Sequence, residues 1–307
     1  MIILVGAGGF LGYSLARHFS NKGIHFATIS RSFQWLPALF ERRFIGSASE
    51  AGDFFGDDYD GITVLYMAGS PNLVLAEQDP LFDLDFHLSE IKSFLQIFLN
   101  LKSVCKRFYF FSSAGTVYGD SKGLIKTEMS ELYPKSAYGK RNVALESFVL
   151  SWARANGAQA SILRVTNPFG PGQSRFRRRG LIQVLIDSAS SGQQVIIRGN
   201  GYQERDYIYV DNLCSMVEKL LQVDGMFEAV NIASGFSYSA RQVVEMLNVN
   251  DIFPCVEYVD AYDDFEVDDS LVANDLVRSI LSLSAEDCNP FKLDNISSMR
   301  HFEDSAT

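Results

Sequence analysis

The run V5-G-A-G-G-F-L-G12 sets Gly6, Gly9 and Gly12 at regular spacing, after the apolar stretch Ile2–Val5 and at the head of a helical pattern, Phe10–Asn21. Glycines so placed can hold the phosphates of a dinucleotide. Gly6 allows the tight turn, Gly9 lets the backbone approach the pyrophosphate, and Gly12 lets helix and strand pack closely. The phosphate charge then rests on N–H groups at the positive helix end, here at Phe10 and Leu11. Ala68 and Gly69, where the later apolar run Ile62–Ala68 ends, are expected on the same cofactor. About 20 residues after such a loop an acidic residue would bind the adenosine ribose. The strand candidate His25–Ser30 runs instead into Arg31. Arg31 can pair with a 2′-phosphate and Ser30 can donate to it, which tilts the cofactor toward NADP over NAD. Arg31 stacked on adenine, or facing water, is the alternative.

Other chemistry is harder to build from this sequence. Cys105, Cys214, Cys255 and Cys288 lie far apart and form no CxxC pair, so neither zinc nor a disulfide framework is expected. His18, His25, His87 and His301 have no triad or ligand spacing. The acidic stretch Asp260–Asp269 reads as a solvated loop rather than a metal site. Arg175, Arg177, Arg178 and Arg179 form the densest basic cluster in a chain of net charge −10. They suit either a diphosphate clamp or a solvated or oligomer-contact loop. An acidic balance disfavours nucleic acid or an anionic membrane surface as the main partner. No apolar run is long enough to span a bilayer, and with a strand-like run at Met1–Val5 no signal peptide is expected. A cytoplasmic protein is the expectation.

The elements that must position these residues alternate. Strand candidates at Ile2–Val5, His25–Ser30, Arg43–Ile45, Ile62–Ala68, Arg107–Ser112 and Ala160–Val165 are interleaved with helical patterns at Phe10–Asn21, Leu81–Leu101 and Ala137–Asn156. In Leu81–Leu101 the apolar stripe is Leu88, Ile91, Phe94, Leu95 and Phe98. Such alternation predicts βαβ units, a parallel sheet and helices on both faces. The fold class is therefore α/β, a Rossmann-type doubly wound parallel sheet with a smaller, interleaved C-terminal substrate domain. Residues 1–166 would bind the dinucleotide, with 205–235 partly returning to that domain, and 167–307 would bind substrate.

Later elements are shorter. Asn167–Gly172 reads as a loop, and Leu181–Ser188 as a helix. Strands are expected at Val195–Arg198, Asp206–Val210 and Val230–Ile232. Asp211 can cap a helix running to Gln222, and Ser239 one at Ala240–Leu247.

Five segments in order, G6-A-G-G-F-L-G12, S112-S-A-G-T-V-Y-G119, S136-A-Y-G-K140, L163-R-V-T-N-P-F-G-P-G-Q173 and R205-D-Y-I-Y-V-D211, resemble the extended short-chain dehydrogenase/reductase family. They resemble more closely its NAD-dependent epimerase/dehydratase group, of the UDP-glucose 4-epimerase kind. The resemblance covers residues 1 to about 235. It implies a tyrosine acting as acid and base on a sugar hydroxyl or ketone, assisted by a lysine four residues later and a serine or threonine from the preceding strand end. Tyr138 fits the tyrosine, with a further place on the cofactor. The lysine position holds Asn142, which can hydrogen-bond a ribose but carries no charge. Lys140 falls near the opposite helix face. The hydroxyl position, counted back from Tyr118, holds Ala114, flanked by Ser113 and Thr116.

The resemblance further implies that Asn167 and Arg205 bind a nucleotide-diphosphate sugar, with Arg177 and Arg178 in the clamp. An Asn-Pro turn and an Arg205–Asp206 ion pair are the plainer readings. It also implies a homodimer through the helices at Leu81–Leu101 and Ala137–Asn156. His87 stands where the group commonly has asparagine. The leading expectation is an NAD(P)-dependent UDP-sugar 4-epimerase. An NADPH-dependent 4-keto-sugar reductase, favoured by Arg31, and a non-catalytic binding member, favoured by Asn142 and Ala114, are the alternatives.

Overall fold

Short runs of β-branched and aromatic residues build one central sheet. The computed structural model describes residues 1–31, 42–54, 59–69, 73–100, 103–176, 180–261, 263–292 and 295. Strand β1 (Ile2–Val5) leads through the glycine loop into helix α1 (Phe10–Asn21). Then follow β2 (Phe26–Ser30), β3 (Arg43–Ile45), β4 (Tyr59–Tyr66), α2 (Leu73–Gln78), α3 (Pro80–Asn100) and β5 (Ser103–Ser113). After the single turn α4 (Ala114–Val117) come α5 (Ala137–Asn156) and β6 (Gln159–Val165). The next elements are β7 (Asn167–Phe169), α6 (Leu181–Ser191), β8 (Val195–Arg198), β9 (Glu204–Tyr209), α7 (Val210–Leu220) and β10 (Ala229–Ile232). The last are β11 (Ser237–Ser239), α8 (Ala240–Val249), β12 (Val256–Val259), α9 (Asp275–Leu281) and α10 (Ala285–Cys288).

The seven-stranded sheet has the order β10-β6-β5-β4-β1-β2-β3. Its pairs β1–β2, β1–β4, β2–β3 and β4–β5 are parallel. Chain progress reverses beside β1, between β2 and β4, and a doubly wound sheet opens its ligand crevice at such a point. No helix among the described residues is long and apolar enough to cross a membrane.

The chain divides into two compact units, one of residues 1–112, 136–163 and 224–230, the other of 113–135, 164–223 and 231–307. The first is held by apolar strand faces against α3 and α5. Ile91, Phe94, Leu95 and Phe98 of α3 are buried, with Phe108 of β5 and Val149 of α5. Tyr66 lies 5.6 Å from Phe94 and 5.8 Å from Phe108, ring centre to ring centre. The predicted α3 stripe is thus the buried one, with Leu88 packed at its edge. The second unit packs Phe169, Ile182, Leu185, Tyr207, Tyr209, Val243 and Leu247 around a three-stranded sheet, β11-β9-β7. A separate parallel pair joins β12 to β8.

Several local expectations change. The segment expected as a loop from Asn167 contains β7, whose residues Asn167, Pro168 and Phe169 pair in parallel with Tyr207, Ile208 and Tyr209. Asp211 does not cap α7. β9 runs directly into the helix, so Tyr209 is the N-cap and Asp211 sits in the first turn, where its charge suits the helix dipole. That helix ends at Leu220 rather than Gln222. Ser239 does cap α8, in a capping box with Gln242, its side chain accepting from the Gln242 N–H at 3.2 Å. The acidic stretch is more than a solvated loop: Asp269 accepts from the Glu204 N–H at 2.8 Å, Asp263 pairs with Arg198, and Val267 is buried. Elements α2, β11, β12, α9 and α10 were not expected.

Candidate active site

In the first unit the glycine loop is shaped by close approach. Gly6 has φ +92° and donates from its N–H to the Ile29 carbonyl at 2.8 Å. A Cβ there would meet the Ala68 backbone nitrogen at 2.8 Å, and one on Gly12 the Gly6 carbonyl oxygen at 2.5 Å. A Cβ on Gly9 would meet only ordinary protein contact, 3.5 Å from the Gly6 oxygen. Gly9 is the N-cap of α1, in extended conformation, and makes no side-chain cap hydrogen bond. No acidic residue stands in that turn. The result is an electropositive helix start open to an anion.

Beside the loop lies a cavity of about 290 Å³, lined by residues including Gly6, Gly9, Ser30, Arg31, Ala68, Gly69 and His87. Every one of these comes from the first unit. The Ser30 hydroxyl accepts from the Gly8 N–H at 3.1 Å, so its oxygen braces the loop. Arg31 is exposed at the rim. His87 is held near pKa 4, below its ordinary 6.5, by burial first and then by the positive field of Arg141. It is therefore uncharged at neutral pH.

Helix α5 starts at Ser136, whose hydroxyl oxygen accepts from the Gly139 N–H at 3.0 Å, while the Ala137 N–H donates to Glu77. Tyr138, in this first turn, is half-buried. One turn on, Asn142 is 4% exposed, and its Nδ2 is buried with no hydrogen-bond partner among the described residues. Lys140 is exposed, as its place on the helix requires. Between them Arg141, also 4% exposed, sets its guanidinium 4.6 Å from the centre of the Tyr138 ring. Its Nη1 donates to both carboxylate oxygens of Asp83, at 3.0 and 2.8 Å. The same carboxylate lies 3.6 Å from His87 Nε2. At the end of β5, Ser112 donates to Glu146.

In the second unit Ala114 is 1% exposed. The Thr116 hydroxyl donates to the Ser113 carbonyl at 3.3 Å, and Ser113 is the N-cap of α4. Tyr118 is structural. Its hydroxyl donates to Asn231 at 2.7 Å and accepts from Arg164 at 3.0 Å, and burial raises its pKa.

A second cavity, of about 440 Å³, is lined by Asn167, Arg198, Gln203, Arg205 and Tyr207 together with Asp263, Glu266 and Asp268. Asn167 Nδ2 donates to the Asp206 carbonyl at 2.7 Å. Arg205 makes hydrogen bonds to backbone carbonyls, with Glu204 at 3.0 Å and with Val267 and Asp268, rather than an ion pair with Asp206. The Asp206 carboxylate points elsewhere. It is fully buried and accepts from Thr166 Oγ1 at 2.6 Å, Ser234 N and Oγ at 3.0 Å, and Gly235 N at 2.7 Å. Desolvation outweighs these bonds and lifts its pKa from 3.8 to about 6. Arg177, Arg178 and Arg179 lie outside the described residues. Arg175 ends a short 3₁₀ turn, Gln173–Arg175.

The glycine loop, Tyr138 and Asn142, expected from the sequence, all lie in the first unit, whereas Arg141, Asp83 and the buried carboxylate of Asp206 are not among the sequence expectations. Arg141 sits one place short of the expected lysine, and spacing alone could have raised it, since i+3 shares a helix face with i.

A family model described as the NAD dependent epimerase/dehydratase family matches residues 2–233. The dTDP-4-dehydro-6-deoxyglucose reductase of Escherichia coli is 31% identical over 143 residues, 47% of this chain and 45% of the relative. A putative UDP-glucose 4-epimerase of Methanocaldococcus jannaschii is 28% identical over 184 residues, 60% of this chain and 59% of the relative. The chain thus spans about half the length of these curated relatives. Among solved structures, MoeE5 in complex with UDP-glucuronic acid and NAD superposes with a TM-score of 0.83 at 22% identity, covering 100% of this chain and 99% of that one. That likeness is one of fold.

Proposed function

The chain belongs to the NAD dependent epimerase/dehydratase family, and from that membership we propose that it is an NAD(P)-dependent nucleotide-sugar 4-epimerase. The observation that carries this reading is the pairing, within one compact unit, of a cofactor-shaped glycine cradle with Tyr138 in the first turn of α5. The residues present fit a dinucleotide. Backbone passes where a Cβ would clash at Gly6 and Gly12, the N-cap of α1 is a glycine with no side chain to bond the helix start, and the orphaned Nδ2 of Asn142 suits a ribose hydroxyl.

When bound, the nicotinamide would take a hydride from the sugar and give it back. The chain's own residues do the rest. Tyr138 Oη takes and returns the proton of the sugar hydroxyl, and Ser113 and Thr116 are the hydroxyls this reading assigns to the reaction, Ala114 having none. A free phenol ionises near pH 10, and Asn142 brings no charge to help it. Residues 1–166, with 205–235 partly returning, form the cofactor domain in this reading, and 167–307 the substrate domain. Asn167 and Arg205, which line the second cavity, are the residues this reading assigns to the nucleotide diphosphate, and Arg177 and Arg178 are assigned to it from the sequence. Leu81 and Phe82, 76% and 68% exposed at the head of α3, are the face offered to a second copy.

The test is direct. Ligand released on denaturing the purified protein is identified by mass spectrometry, and UDP-galactose is offered as substrate. An epimerase carries bound dinucleotide and forms UDP-glucose without net cofactor use. Arg31, at the rim of the cofactor cavity, favours a second reading, an NADPH-dependent 4-keto-sugar reductase. The reductase name of the E. coli relative runs the same way. Stoichiometric NADPH consumption with a dTDP-4-keto sugar, and no interconversion, would establish it.

A further inference from the structure

The charge that Asn142 lacks is present one residue earlier. Arg141 lies three residues beyond Tyr138, on the same helix face. Its guanidinium stands over the ring, 4.6 Å from the centroid, and is shielded from water. A cation there attracts the π-electrons of a neutral phenol, and attracts a phenolate ring more strongly because that ring carries the anion's charge. A buried guanidinium must be paired, and Asp83 supplies the pairing through both oxygens. The pairing, through Nη1 alone, reaches from α3 to α5 and anchors the guanidinium beside the ring.

Among the described residues, these charged and titratable groups lie on the elements at Tyr138. On α5 they are Arg141 and the exposed Lys140. On α3 they are Asp83, bound to Arg141, and His87, uncharged at neutral pH. On α2 there is Glu77, which accepts from the Ala137 backbone. Arg141 is the buried cation of the set.

We propose that Arg141 is a positioning residue for Tyr138, clamping its ring and supplying from the ring face the positive charge that the helix position of Asn142 does not. The inference rests on the reading of Tyr138 as the proton-transfer group. It assigns that group's electrostatic support to Arg141 with Asp83.

Two measurements on the full chain separate the inference from that reading. The first is an ultraviolet difference titration, in which subtracting the Y138F spectrum isolates tyrosinate formation at Tyr138 and no substrate is needed. In R141Q, a neutral side chain that still donates to Asp83, the Tyr138 component moves to higher pH. In R141K it stays near the wild-type position, and R141Q/N142K brings it back. If R141Q fails to fold by circular dichroism, D83N/R141Q removes the stranded carboxylate as well. The second measurement is turnover of UDP-galactose, where R141Q loses about tenfold in kcat at neutral pH with KM within about twofold, and regains rate at alkaline pH. A Tyr138 component that titrates at the same pH with and without Arg141 overturns the proposal. Full turnover by Y138F would instead overturn the reading of Tyr138 and leave the titration result standing.

Discussion

A Cβ on Gly12 would lie 2.5 Å from the carbonyl oxygen of Gly6, closer than any side chain tolerates, whereas one on Gly9 would lie 3.5 Å from the same atom. The glycines of one loop therefore answer to different constraints. Gly12 is required by the protein's own packing, whereas the protein alone would admit a methyl at Gly9. G12A should cost roughly 1–3 kcal/mol of stability, the range for forcing a methyl into a packed site. G9A should unfold near the wild-type urea midpoint while losing dinucleotide affinity. Equilibrium unfolding and NADH titration, run on both, check this. Equal loss of stability in the two would show that Gly9 too is structural.

The proton-transfer role of Tyr138 predicts a large and selective loss. Y138F removes only the hydroxyl and keeps the ring under Arg141. Turnover of UDP-galactose should fall by about 10² to 10⁴, the usual contribution of a positioned acid/base. Dinucleotide affinity should change little, because one hydrogen bond is worth only about 1 kcal/mol. Retention of half the activity would remove Tyr138 from the mechanism.

In the proposed reading, Arg31 is the residue that would tell the two dinucleotides apart. A guanidinium on a 2′-phosphate makes charge-assisted hydrogen bonds worth about 1.5–3 kcal/mol, so R31A should weaken NADPH about tenfold or more. NADH, which lacks that phosphate, should be held within about twofold. Fluorescence titration with each cofactor gives the ratio. If both weaken alike, Arg31 is stacking on adenine and NAD is the resident cofactor.

Much of this was legible in the sequence because it is local. The bounds of α1 and α5 follow from helical periodicity and caps, and the glycine loop from three residues in one turn. The missed features depend on distant partners. β7 is three residues of Asn-Pro-Phe, read locally as a turn, and becomes a strand only because β9 supplies its ladder. Arg141 looks like a surface arginine beside Lys140 until Asp83, 58 residues earlier, closes over it. Asp206, read locally, is a counter-ion for its neighbour Arg205. Adjacent strand residues face opposite ways, which sends the carboxylate into the core and the guanidinium toward the second cavity.

That buried carboxylate and His87 give the protein an unusual acid response. Asp206 has its folded pKa raised from 3.8 to about 6. The folded state holds that proton more tightly, so its contribution is full below about 3.8 and is lost as pH rises through about 6. At 1.36 kcal/mol per pH unit the loss is roughly 3 kcal/mol. His87 has its folded pKa lowered from 6.5 to about 4, so its contribution is full above 6.5 and is lost as pH falls through about 4. Between about pH 4 and 6 the two slopes oppose each other. Removing one should uncover the other. Relative to wild type, H87Q should lose stability as pH rises across this window, and D206N should gain it. D206N starts from a lower stability, because an amide cannot accept all four of the hydrogen bonds that the carboxylate does. The quantity to follow is the difference in urea midpoint from wild type at each pH, which cancels the titration of the remaining carboxylates. Differences that stay flat with pH for both variants would mean that neither group keeps its shifted proton affinity in the folded protein.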